Sequence, residues 1–375
     1  KWPRRESMVF EKDEFKIGND EEFERVLKEI NSNYDGCLFY SVPSKKHPEE
    51  CKTNFLKLVK GVTIPKGIVQ LDHKMQSLSR NADFAEVCNN VDVLMTHSLS
   101  SDFTRWAKRE NVTTPFKKMA LGFNYDQHRA KYWKPIEETD GFSVRWIGRL
   151  SGWKGPNLMM DLHTQQLRKR NFITVLEGLE ASIGWAGILY EGGNYKTGKR
   201  LYAIGDLCNK FRPQKELGET GFDPSLYGTE VHGGPAYLYP PYNNHDCMER
   251  MSRGGFGSDL YHLKAHMYGN NIENCHAECV ANGVIPIFHQ HFGDNVIHRV
   301  TGNVVSKDSN TGTIFLDDTN LESNAILMEK LAKDNAMRDE WREMAFEYWK
   351  SHSDAKITAA EIVENLFGSE DELGS

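Results

Sequence analysis

Between Cys275 and Cys279, two cysteines, a histidine and a carboxylate occupy four of five consecutive positions, ahead of Asn282-Gly283 and the apolar run VIPIF. On a helix the two thiols would stand one turn apart with His276 beside them, which is half of a zinc site. No second Cys-x-x-Cys or His pair with structural-zinc spacing accompanies them, so the cysteines read as packing groups. Glu278 reads differently. A carboxylate on a short helix that is entered from a loop and followed by a core strand can accept two hydroxyl hydrogen bonds from a ribose. An exposed helix glutamate is the plainer alternative.

Two further stretches carry cations or glycines where a phosphate could use them. RWIGRLSGWKG places Arg149 at the end of a strand and Lys154 just after a loop, a planar fork and a point charge suited to a diphosphate. RGGFGSDL offers Gly254, Gly255 and Gly257 as a turn leading into a helix, whose backbone amides could approach a phosphate or a sugar hydroxyl. It lacks both the Walker ending and the dinucleotide G-x-G-x-x-G spacing. Surface cations and an ordinary turn are the competing readings.

The elements that must hold these residues alternate between strand and helix. GCLFYSVP, GIVQLDH, VDVLMTHS and KKMALGF form one series of short apolar runs, with helical stretches such as 20–31 and 48–60 between them. SVRWIGRL, ITVLEG, LYAIG, AYLYPP, GVIPIF and TIFLDD form a second. Such alternation gives doubly wound α/β layers. The polar, proline-containing HRAKYWKPIEETDG separates the series as a linker, and a helical stretch from Asn335 to Phe367 closes the chain. The expected domains are 1–138, 139–345 and a helical tail at 346–375.

The 375 residues suffice for two cores. No apolar run reaches bilayer length and the N-terminus shows no signal peptide, so a cytoplasmic protein without membrane contact is expected. Seven cysteines, an odd number without regular spacing, fit a reducing compartment. The net charge of −7 disfavours a polyanionic partner taken whole, yet residues 40–134 hold 16 Lys and Arg against 9 Asp and Glu. That imbalance permits one basic face to meet a phosphate backbone. An unevenly charged solvated surface would look the same in sequence.

Several stretches, in this order, resemble the T-even phage DNA α-glucosyltransferase family: DHKMQSLSRN, DVLMTHSLSSDF, RWIGRLSGWKG, VLEGLEAS, and MERMSRGGFG leading to HAECVANGVIPIF. The last also resembles the wider Glu-x-x-Ala-x-Gly-x-Pro donor signature, with one extra residue before Pro286. The resemblance spans about residues 36–350. It implies a GT-B architecture, two Rossmann-like domains facing a central crevice, with the acceptor site in the N-terminal domain and the UDP-sugar in the C-terminal one. Arg149 and Lys154 would hold the diphosphate and neutralise the leaving group without an obligatory metal. Glu278 would bind the ribose, Glu273 would lie near the sugar, and Phe256, Gly257 and Ser258 would supply backbone donors. No tightly bound cofactor is expected.

On the acceptor side, Asp72 and His73 would stand at the carboxyl end of a strand. There Asp72 would orient the acceptor hydroxyl or stabilise charge on the sugar. Arg80 and His97 would meet donor phosphates or the acceptor strand. Lys45, Lys46, Lys108, Arg109, Lys117 and Lys118 are the candidates for a DNA face. The implied reaction is retaining transfer of a sugar from a UDP-sugar to 5-hydroxymethylcytosine in double-stranded phage DNA, by a monomer in the cytoplasm of the infected host. A polysaccharide or lipid acceptor, or a UDP-sugar-binding protein without catalysis, are the alternatives.

Three departures from the family bear on this reading. Leu71 stands where the family has a histidine, and residues 191–240 are longer than the matching segment. The strand and glycine-rich loop with which the family begins are not found upstream of GCLFYSVPS, so the N-terminal domain is expected to lack its first strand or to be rebuilt. The donor is accordingly read as glucose or a pentose such as arabinose.

Overall fold

The computed structural model describes residues 20–40, 49–70, 82–96, 101–119, 121–149, 155–180, 229–230, 236–239, 244–258, 260, 274–290 and 309–368. They divide into two compact units, one reaching Gly122 and resuming at Ala355, the other running from Phe123 to Asp354.

In the N-terminal unit, α1 (Asp20–Asn33), β1 (Cys37–Tyr40), α2 (Glu49–Gly61), β2 (Lys66–Gln70), α3 (Ala82–Cys88), β3 (Val93–Thr96), α4 (Ser101–Arg109) and β4 (Phe116–Lys118) follow in turn. The strands pair in parallel in the order β1-β2-β3-β4. Parallel strands need crossovers and bury both faces, which is why β3, VLMT, is buried at every position. One face packs Phe39, Val59, Ile68, Phe84, Leu94 and Trp106 together, with Phe84 stacked on Trp106 at 5.1 Å. The loop groups at the amino edge are tied down individually. Lys66 Nζ donates to the carbonyls of Val59 (2.7 Å) and Val62 (2.6 Å) at the end of α2, and Asp92 accepts from the Lys66 amide at 2.8 Å.

In the C-terminal unit, α5 (Tyr125–Tyr132) precedes β5 (Asp140–Arg149), α6 (Pro156–Leu162), β6 (Ile173–Glu180), β7 (Thr229–Glu230) and β8 (Ala236–Tyr239). Then come α7 (Asn244–Met251), β9 (Gly254–Ser258), α8 (Asn274–Ala281), β10 (Ile285–His289), β11 (Ile314–Leu316), α9 (Leu321–Lys333) and α10 (Asn335–Ser353). The sheet order is β11-β10-β9-β5-β6-β8-β7, parallel except for β7. Val144, Trp146, Phe172, Phe256, Ile285 and Ile287 form its main core.

The final helix α11 (Ala355–Phe367) belongs to the N-terminal unit, where Ile362 and Leu366 cover Val69, Val93, Met95 and Met119. The expected single tail helix therefore breaks at Asp354, whose backbone is extended and forms a parallel bridge with Phe123. The expected boundary near residue 138 falls instead at Gly122/Phe123. The stretch expected as a linker contains α5, which buries Tyr125, His128 and Tyr132 on one face. Among the described residues, no helix is long and apolar enough to cross a membrane.

Candidate functional site

The strand order sets the carboxyl ends of β9 and β5 side by side, with Arg145 opposite Gly257 and Trp146 opposite Ser258. β5 continues three residues past Trp146 to end at Arg149, after a register shift against β6 between Gly148 and Arg149. In open α/β sheets ligands bind at this carboxyl edge. The backbone of Arg149 lies there; its side chain, and all of Lys154, fall outside the described residues. Gly155, next to Lys154, has φ +67°, and a Cβ on it would stand 2.0 Å from the Leu260 carbonyl oxygen. Only glycine meets both conditions. The chain just after Lys154 is thus seated against the chain leaving β9.

Residues 254–258, expected as a turn, form the strand β9 in the middle of the sheet. Phe256 is paired with Val144 on one side and Ile285 on the other, and its ring is buried in the main core. The glycines serve close packing. A Cβ on Gly257 would come within 3.0 Å of both Cys279 Sγ and Val284 Cγ1, so its absence lets α8 close onto the strand. Ser258, the last residue of β9, is at the carboxyl edge by its backbone.

α8 answers the question raised by its cysteines. Cys275 and Cys279 pack with Tyr132, Ile147, Cys247, Met248, Met251 and Val284, the Cys279 thiol lying 3.5 Å from Met251 Sδ. His276 is buried with its ring 4.1 Å from that of Phe288. Among the described residues no three His, Cys, Asp or Glu side chains gather as metal ligands would. Glu278 is 2% exposed, which sets aside the solvated-glutamate reading. A carboxylate at that depth requires polar partners.

The helix is fixed from behind, through Gly283 of its own motif, by side chains that the sequence motifs did not single out. Gly283 ends it at φ +74°, and a Cβ there would lie 2.8 Å from the Trp133 ring. Trp133 in turn is clasped between the guanidinium groups of Arg129 (4.0 Å) and Arg342 (4.7 Å). Arg129 is held by a two-pronged pair with Glu343, at 2.7 and 2.6 Å. Arg342 donates to the Lys134 carbonyl at 2.9 Å and to Asp339 at 2.6 Å. The signal available in sequence was Asn282-Gly283 as a helix stop; the tryptophan that rests on it is 150 positions earlier.

In the N-terminal unit β1, β2 and β3 end at Tyr40, Gln70 and Thr96. Lys45, Lys46, Asp72, His73, Arg80 and His97 follow those ends in sequence but lie outside the described residues, as does Glu273. Lys117 is exposed on edge strand β4, where Lys118 is placed by backbone alone. Lys108 and Arg109 are exposed in the last turn of α4. The chain after them is bound to the end of α3, with Asn89 Nδ2 donating to the Asn111 carbonyl at 3.2 Å. They therefore sit toward the amino edge, and the structure separates them from the strand ends that precede Asp72 and His97.

Two α/β units, each built on a parallel sheet, have the architecture of the GT-B class of fold. The model of the DNA alpha-glucosyltransferase family matches residues 9–204 and 228–336, and the chain belongs to that family. It is 29% identical over 351 residues to the DNA alpha-glucosyltransferase of Enterobacteria phage T4, covering 90% of this chain and 82% of the relative. An alpha-glucosyltransferase solved with UDP and a 13-mer DNA containing a HMU base superposes with a TM-score of 0.74 at 27% identity, over 92% of this chain and 83% of that one. Another, solved with UDP-glucose and DNA containing an abasic site, gives 0.73 at 28%, over 92% and 83%. HepE of Anabaena, solved with UDP, shares the fold at 12% identity and a TM-score of 0.53, over 92% of this chain and 82% of that one. The family match skips 205–227, inside the stretch expected to be enlarged.

Proposed function

We propose that this protein transfers glucose from UDP-glucose to the hydroxymethyl group of 5-hydroxymethylcytosine in DNA, retaining the configuration at the anomeric carbon. The observation that carries the reading is the buried Glu278, on a helix locked against β9 beside the edge where β5 ends at Arg149. Family membership and relatives solved with UDP, UDP-glucose and DNA support the choice of donor and acceptor.

In this reading Glu278 accepts hydrogen bonds from the ribose hydroxyls, a fixed carboxylate in a water-poor site giving strong, directional acceptance. Arg149 and Lys154 hold the diphosphate and stabilise the negative charge that grows on it as the bond between the sugar C1 and the phosphate oxygen breaks. Ser258 contributes its backbone, and Glu273 lies near the sugar. The acceptor oxygen bonds to C1 from the face the phosphate leaves, and its proton passes to the departing phosphate oxygen. Asp72 and His73 orient the hydroxymethyl group, with Arg80 and His97 beside them. The target base leaves the stack to reach the donor. Lys45, Lys46, Lys117 and Lys118 neutralise DNA phosphates; Lys108 and Arg109, toward the amino edge, contribute less. The protein acts as a monomer in the host cytoplasm and uses no obligatory metal.

A pentose donor is the second reading, favoured by Leu71 in place of the family histidine and by the insertion around 205–227. Mass spectrometry of nucleosides from hydroxymethylcytosine DNA, incubated with the protein and UDP-glucose or UDP-arabinose, separates the two. A hexose increment confined to hydroxymethylcytosine is expected. A pentose increment alone would replace the donor, and the absence of any increment with either donor would remove the reading.

A further inference from the structure

Leu366 of α11 does more than cover the sheet. Together with residues 62–66, the stretch leading from α2 into β2, and Asp92, just ahead of β3, it walls a surface cavity of about 570 Å³. All of these residues belong to the N-terminal unit. The cavity lies at the amino edge of the sheet, at the other ends of the strands from Gln70 and Thr96. Its volume is in the range of pockets that hold small molecules.

The wall is formed in advance. Asn31 holds it at two points, its Nδ2 donating to the Gly61 carbonyl at 3.0 Å and its Oδ1 accepting from the Thr63 amide at 2.8 Å. The Pro65 carbonyl accepts from the Cys37 amide at 2.8 Å. Asp92 and Lys66 are tied both ways: Asp92 Oδ2 accepts from the Lys66 amide at 2.8 Å, and the Asp92 amide donates to the Lys66 carbonyl at 2.9 Å. Ordering of this segment therefore opposes folding and not the arrival of a ligand.

The groups that the wall leaves unused set the chemistry of the occupant. Lys66 Nζ is turned to the end of α2, where it donates to the Val59 and Val62 carbonyls at 2.7 and 2.6 Å. Carbonyls at a helix C-terminus carry the negative end of the dipole, so much of that ammonium charge is already compensated. Asp92 has no such relief. Its Oδ2 is bonded to a neutral amide, and among the described residues it forms no ion pair and its Oδ1 accepts no hydrogen bond. The Thr63 hydroxyl is likewise without a partner among the described residues. Around these two groups the lining is apolar, with Ile64, Pro65 and Leu366 reached by solvent and Val62 buried beneath. A carboxylate oxygen and a hydroxyl on an apolar floor complement an ammonium group carried by an apolar body.

We propose that this cavity binds a small organic amine, the ammonium donating to Asp92 Oδ1 and Thr63 Oγ1 and the apolar body lying against Ile64, Pro65 and Leu366. Leu366 also covers Val69, Val93, Met95 and Met119. An occupant therefore bridges α11 to the wall at 62–66 and braces the helix on the sheet. The site is separate from the sugar-transfer reading and stands or falls without it.

The test uses phenethylamine, with phenethyl alcohol and phenylpropionate as neutral and anionic counterparts, titrated into the full chain by calorimetry and followed by amide exchange. The amine is expected to bind in the millimolar range and to raise protection in α11 and at 62–66. The alcohol and the acid should bind at least about 10-fold more weakly. Asp92→Asn keeps an oxygen for the Lys66 amide and removes the charge; it should weaken the amine about 10- to 100-fold and leave the alcohol as it was. Thr63→Val, of similar shape without the hydroxyl, should weaken the amine severalfold. It also decides the matter if Asp92→Asn does not fold. The proposal is overturned by the absence of saturable amine binding, by equal binding of all three compounds, or by unchanged amine affinity in the variants. Preference for the acid would make Lys66 the governing charge and overturns it too, as does protection gained away from α11 and 62–66.

Discussion

The carboxyl edges of the two sheets are built in opposite ways. In the C-terminal unit every residue of α8 from Cys275 through Ala281 is buried, and so is every residue of β10. The helix is clamped by Gly257 on one side and by Gly283 and Trp133 on the other. In the N-terminal unit β1 ends in Tyr40 at 67% exposure, with Leu38 beside it. A nucleotide and a DNA duplex make different demands. A small, rigid donor rewards preorganisation, because each rotor frozen in advance no longer opposes binding. A duplex brings its own surface, and its affinity comes largely from phosphates and exposed ring faces.

The contrast can be broken most forcefully through the support of the closed edge. Trp349 is fully buried, donates its Nε1 to Thr313 Oγ1 at 2.8 Å and packs on Phe288 at 5.0 Å. Trp349→Ala should cost about 3–5 kcal/mol, read as lost amide-exchange protection in β10 and β11. Protection in β2 and β3 should be retained; equal loss in both units would show that the two edges do not depend on separate cores. Next, Glu278→Gln should raise KM for UDP-glucose by about 10- to 100-fold, the value of a hydrogen bond to a charged acceptor, with KM for DNA unaltered. An unchanged donor KM would take Glu278 out of the site.

On the open edge, Lys117→Glu should weaken DNA binding severalfold and lower the slope of log affinity against log salt by about 1. Lys108→Glu, toward the amino edge, should leave the slope nearly as it is. The reverse order would move the DNA face to the other end of the sheet. The last effect vanishes at neutral pH and appears only in alkali. Burial pushes the Cys88 thiol from its ordinary value of 9.0 up to about 12. The folded form therefore keeps a proton that the unfolded form loses, so this stabilisation is complete below pH 9.0 and is lost as pH rises toward about 12. Burial likewise pushes the Tyr125 phenol up, adding the same sign in the C-terminal unit above its ordinary 10.0. Alkaline titration of Cys88→Ala should show a shallower loss of stability between pH 9.0 and about 12 than the unaltered protein, and an identical curve would refute the assignment.

Much of this was legible because parallel strands are continuous apolar runs. GIVQ, VLMT, SVRWIG, ITVLEG, AYLY, IPIF and IFL all became strands, and the helices at 20–33 and 49–61 came within two residues of their expected ends. GGFGS did not read as a strand, since its side chains are mostly hydrogen atoms; what makes it one is the pair of neighbours that need it narrow. The break at Asp354 was equally hidden. No proline or glycine marks it, and the extended residue is set by Phe123, more than two hundred positions away. Glu278 could be placed on a helix by its motif, but its burial at 2% exposure follows from the packing of the whole helix in the folded unit, which no local motif displays.

α11 has a consequence for how the chain is made. Val69, Val93, Met95 and Met119 leave the ribosome early, yet the side chains that cover them, Ile362 and Leu366, are synthesised after the whole C-terminal unit. Domains ordinarily fold in the order of their synthesis. Here the half that is translated first is the half completed last, and during elongation one face of its sheet waits in water for the final helix.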